Sequence, residues 1–127
     1  MQTVTGTSVE IDSILQSIKK KIGPSADYDA FDHDILVCIN TAFATLYDVC
    51  SFGGDKPIHI TGANEVWSSI LTDPKIEWVK EYVFMKTKIA FDPPANSTLL
   101  DNYKAQIAEL EWRIYTELND YYPGANV

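Results

Sequence analysis

Apolar side chains recur at three- and four-residue intervals in four stretches of the chain, and glycine or proline follows each of them. Ile11, Ile14, Leu15, Ile18 and Ile22 predict an amphipathic helix of about three to four turns. A Thr7–Glu10 capping box would open it and Gly23-Pro24 would stop it. Lys19, Lys20 and Lys21, with Gln16, fall on the other face, where a run of lysines is expected to be solvated. After a polar link over 25–30, with Asp27 or Asp29 available as a cap, a second helix is predicted from Ile35, Ile39, Ala42, Phe43, Leu46 and Tyr47. It runs to Gly53-Gly54, and Leu36 and Val37 give it a second apolar side.

The third helix is predicted from Pro74, at the first helical position behind Asp73, to Phe91. Two stripes, Ile76, Val79, Val83, Ala90 and Trp78, Tyr82, Met85, Ile89, make it apolar around most of its circumference, as a central element requires. Pro93-Pro94 ends it, since neither residue has an N–H to give. A fourth helix restarts at Ser97 or Thr98, the latter with Asp101 as an approximate capping box. Leu100, Tyr103, Ile107, Leu110, Ile114 and Leu118 form a narrow stripe suited to one side-on partner. Glu109 and Arg113 are spaced as a surface ion pair.

The period changes between the second and third helices. Pro57, Ile58, His59, Ile60 and Thr61 alternate as a short strand would. A lone strand needs a partner, and none is evident elsewhere in the chain. Val66, Trp67, Ile70 and Leu71 then anchor a short helix within 62–72. The fold class is therefore mainly α: a small bundle of four to five helices with one short β segment. One domain over 1–127 is expected, with 1–8 a flexible lead and 119–127 a C-terminal tail.

The chain has 127 residues, 46% of them hydrophobic, which suffices for a core without disulfide or metal staples. Eighteen acidic residues against ten Lys and Arg give a net charge of -8, which repels phosphate and argues against a protein that grips duplex DNA. There is no signal-like lead and no run of apolar residues long enough for a membrane, so synthesis in the cytosol and no membrane partner are expected. Cys38 and Cys50 lie in one predicted helix about 18 Å apart, beyond disulfide reach, and read as buried thiols.

Candidate chemistry is sparse. Asp29 and His33 stand one turn apart with Asp32 and Asp34 beside them, yet a closed metal site needs about four ligands. His59, the other histidine, has no ligand-like neighbour, and an acidic first turn already suits the helix dipole. Gly53-Gly54-Asp55-Lys56 lacks phosphate-loop spacing, because Pro57 stands where a Ser or Thr is needed. Asn96-Ser97-Thr98 reads as loop and helix cap. Neither cysteine has a histidine and an electropositive setting. No catalytic residue, metal site or cofactor is expected. The excess is aromatic: Trp112, Tyr115, Tyr121 and Tyr122 crowd the C-terminal end, and Trp112 and Tyr115 lie off the stripe. They either widen the core or wait for a protein partner, since Trp, Tyr and Arg dominate interface hot spots.

Two motifs carry a resemblance. Glu81-Tyr82-Val83-Phe84-Met85-Lys86-Thr87-Lys88-Ile89-Ala90-Phe91-Asp92-Pro93-Pro94 and Gln106-Ile107-Ala108-Glu109-Leu110-Glu111-Trp112-Arg113 together resemble a tailed-phage head-tail connector family. Asp34-Ile35 near the opening of a helix, and Trp67 in the short one, fit the same order of elements. The resemblance implies a structural virion adaptor without enzymatic activity, at the neck between head and tail and assembled in the host cytoplasm. Copies would form a ring, usually twelvefold, between the portal protein and the next head-completion or tail protein. DNA would pass through it without sequence-specific binding.

On this reading Pro57, Ile58, His59, Ile60 and Thr61 contact the neighbouring copy. Trp112, Arg113, Tyr115, Tyr121 and Tyr122 contact the portal or tail side. The competing expectation is a non-virion helical regulator or assembly chaperone that binds one protein partner through the same faces.

Overall fold

The computed structural model describes residues 11–23 and 29–118. The Thr7–Glu10 capping box, Asp27, Tyr121, Tyr122, the lead and the tail lie outside them. Four helices follow in order: α1 (Ile14–Ile22), α2 (Asp32–Cys50), α3 (Ile76–Phe91) and α4 (Ser97–Leu118). A single 3-10 turn at Trp67–Ser69 is the predicted short helix.

α1 begins later than its apolar period. Ser13 is the N-cap, its Oγ accepting from the Gln16 amide at 3.2 Å. The chain just before it is held in extended form against 65–67. The Trp67 amide donates to the Asp12 carbonyl at 2.9 Å, and the Ile14 amide to the Glu65 carbonyl at 3.0 Å. Ser13 and Val66 form the β-bridge found among the described residues. Ile11 thus precedes the helix.

Asp29 caps α2 through its carbonyl, which accepts from the Asp32 amide at 3.1 Å; the N-cap Phe31 makes no side-chain cap. The helix ends at Ser51, in the left-handed region at φ 56°. Gly53 follows at φ 120°, where an added Cβ would lie 2.6 Å from the Lys56 carbonyl oxygen.

The expected strand over 57–61 does not form. The segment carries no ladder, because a side chain completes it. Asn40 on α2 donates from Nδ2 to the Ile60 carbonyl at 2.9 Å and accepts from the Ile60 amide at 2.8 Å. One amide group thus stands in for a neighbouring strand. Glu65 accepts from the Thr61 amide and hydroxyl at 2.8 and 2.7 Å. Those bonds hold its carboxyl below the usual range.

α3 starts at Ile76, two residues after Pro74, since Asp73 makes a turn first: its carboxylate accepts from the Lys75 amide and its carbonyl from the Ile76 amide. α4 is capped by Asn96, whose Oδ1 accepts from the Thr98 and Leu99 amides at 2.8 and 3.1 Å. Neither Ser97 nor Thr98 is the cap.

α3 packs on α1, α2 and α4, which makes it the central element. Ile14, Ile18, Ile35, Ile39, Phe43, Leu46, Trp67, Val79, Tyr82, Val83 and Ile114 form the centre of one core. Trp67 Nε1 donates to Ser17 Oγ at 2.8 Å, satisfying its only polar group. Two expectations are corrected at the margins. Ala90 is exposed and Val37 is half-exposed, so the second sides of α2 and α3 are only partly covered. Lys19 is not solvated with Lys20 and Lys21: it is fully buried, and its Nζ lies 2.7 Å from the Asp32 carboxylate. That pair joins α1 to α2.

Candidate protein-interaction surface

The motif Glu109 to Arg113 on α4 divides its work by helical angle. Leu110 packs on the core. Glu111 ties three helices together: its carboxylate accepts from the buried Tyr82 hydroxyl of α3 at 2.6 Å. Its carbonyl accepts from Cys50 Sγ of α2 at 3.6 Å. Burial, then the Glu111 carboxylate, raises the Tyr82 phenol. Burial, then the same carboxylate, pushes the Cys50 thiol up to about 11. The Tyr82–Glu111–Cys50 group is thus a structural knot, with the Tyr82 phenol and the Cys50 thiol held protonated.

Arg113 pairs with Glu109 at 2.8 Å, as the spacing predicts, and its guanidinium carbon lies 5.8 Å from the Trp78 ring centre. It is drawn toward α3. Trp112 and Tyr115, by contrast, are 66% and 51% exposed. They do not widen the core. Two large rings one turn apart on the outer side of α4 make an apolar patch of the kind that marks binding sites.

The 57–61 segment is mixed. Ile60 is fully buried and serves the fold, Pro57 and Ile58 are half-buried, and His59 and Thr61 are exposed. With Ile14, Lys56, Glu65 and Ile70, Pro57 to Ile60 line a cleft of about 430 Å³.

A second cleft, of about 370 Å³, lies where the first half of α2, the last turns of α3 and the first half of α4 meet. Its walls are Val37, Cys38, Thr41, Ala42, Ile89, Ala90 and Ile107, with Lys86 and Lys104 at its sides. The cleft joins three distant stretches of sequence, so no single periodic pattern could reveal it. Val37, an apolar residue of α2 that is half-exposed instead of buried, is the one sign of it in the sequence. Cys38 is half-buried there, its thiol raised by desolvation and then by Asp34.

Among the described residues, no three His, Cys, Asp or Glu side chains are grouped to hold a metal ion. His33 and Asp29 are both exposed, and Asp32 is engaged by Lys19. No helix among the described residues is long and apolar enough to cross a membrane.

Compared with known proteins, the chain matches a family model described as phage connector protein over residues 14–120. The match begins at the first residue of α1 and ends two residues past α4, so it spans the bundle. No curated protein and no solved structure matches the chain.

Proposed function

The chain belongs to the phage connector protein family, and from that membership we propose that it is a structural virion protein, the adaptor of the head-tail junction. Copies form a ring, of the usual twelvefold kind, between the portal protein and the next head-completion or tail protein. The genome passes through that ring. A net charge of -8 suits such a channel, because acids facing the lumen let phosphate slide without adhering. The protein performs no chemistry in this role and needs no cofactor.

The observation that carries the reading is the family match across the whole helical bundle. The exposed rings of Trp112 and Tyr115 support it, since a chain that acted alone would have little reason to leave them in water. The contact surfaces are that aromatic face with Arg113, continued by Tyr121 and Tyr122 in sequence, and the exposed part of Pro57, Ile58, His59, Ile60 and Thr61.

Quantitative mass spectrometry of purified particles tests the proposal. It expects this chain in a fixed ratio to the portal protein, one copy per ring position. Particles that lack the chain, from cells that make it, favour the non-virion regulator or assembly chaperone instead.

A further inference from the structure

The aromatic face and the three-helix cleft complement each other. We infer that Trp112 and Tyr115 of one copy seat in the cleft of the next, over Val37, Ala42 and Ile89 and between Lys86 and Lys104. This rests on the ring reading above and names the surfaces that build the ring, in place of the portal-side role that the sequence suggested for the aromatic end.

Chemistry matches on both sides. The cleft is walled mostly by aliphatic groups, and Trp112 and Tyr115 are the largest exposed apolar side chains among the described residues. Charge matches as well. Two copies at -8 each repel one another over most of their surfaces, so contact is favoured where cations gather. Lys86 and Lys104 flank the cleft, and neither has a carboxylate partner among the described residues. On the ring side, Arg113 is turned toward Trp78, while Glu109 stands one turn before Trp112 on the same side of α4. The Glu109 side chain stays 62% exposed even while paired with Arg113.

Geometry excludes self-occupancy. Ile107 in the cleft wall and Trp112 are on the same helix, about 7.5 Å apart along its axis, and Trp112 points away from the core that Ile107 enters. A rigid helix cannot fold its own ring into its own cleft. The contact therefore joins unlike surfaces of different copies; repeated head to tail it runs on from copy to copy, whereas a reciprocal two-fold exchange would stop at linked dimers. Such a contact closes into a ring when the rotation per copy divides a full turn.

Cys38 in the cleft provides the test. Full-length protein carrying Tyr115→Cys, which keeps Trp112, is oxidised mildly at alkaline pH. The expected product is a ladder of disulfide-linked multimers, lost with Cys38→Ser and retained with Cys50→Ser. Lys86→Glu with Lys104→Glu, both outside the core, is expected to weaken self-association about tenfold or more at low salt. Multimers that form without a 38–115 link overturn the cleft assignment and leave the ring standing. A 115 link to the portal or another particle protein also overturns it, restoring the portal-side role. No self-association and no link in either the free chain or particles refutes the assignment. The ring reading itself falls only if particles lack the chain.

Discussion

Asn40 gives its whole side-chain amide to one residue, bonding both backbone groups of buried Ile60. Removing it leaves a donor and an acceptor without partners. Asn40→Ala should therefore cost about 1–3 kcal/mol, read from urea unfolding. A cost within error of zero would mean that water replaces the amide there. Cys50 sets a pH dependence. Its thiol is raised in the folded state from the ordinary 9.0 to about 11. The unfolded chain loses this proton first, so stability falls as pH rises from about 9 to about 11 and the contribution levels off above that. Cys50→Val should flatten that part of the stability curve, with calorimetry across the range as the check. In the folded protein Cys38 should also react with thiol reagents ahead of buried Cys50.

At the scale of elements, local chemistry decides where each helix begins. Asn96→Ala should cost about 1 kcal/mol, whereas Ser97→Ala and Thr98→Ala should stay within about 0.5 kcal/mol. Thermal unfolding of the three variants tells a cap at 96 from a cap at 97 or 98. The four helices were legible from apolar period and Gly or Pro stops, because one buried stripe per helix is what the period records. Cap positions were less so, since Ser, Thr, Asp and Asn near each start compete for the same amides. The 57–61 segment alternated like a strand, yet alternation reports only that one side is buried. What completes its backbone, an Asn on α2, lies far away in sequence. Lys19 misled for a related reason: a lysine within a run of three reads as solvent-facing until Asp32 of the next helix is placed beside it.

For the whole molecule, the division between core and surface carries the functional account. Trp112 and Tyr115 stand outside the core and are exposed, so Trp112→Ala and Tyr115→Ala should change stability by no more than about 0.5 kcal/mol while weakening assembly. Truncation after Asp120 should likewise leave the bundle folded. Loss of the monomer fold in that variant would assign the tail to the core. Sequence composition showed an aromatic excess at this end but not which side of α4 it faced, nor the cleft that complements it, because both depend on how the helices pack.

The most direct measurement is a reconstruction of the neck of the purified particle at a resolution that separates helices. The account predicts four-helix density of this chain repeated around the axis between portal and tail, with α4 of each copy against the α2–α3–α4 cleft of its neighbour. A neck built wholly of other proteins would contradict it.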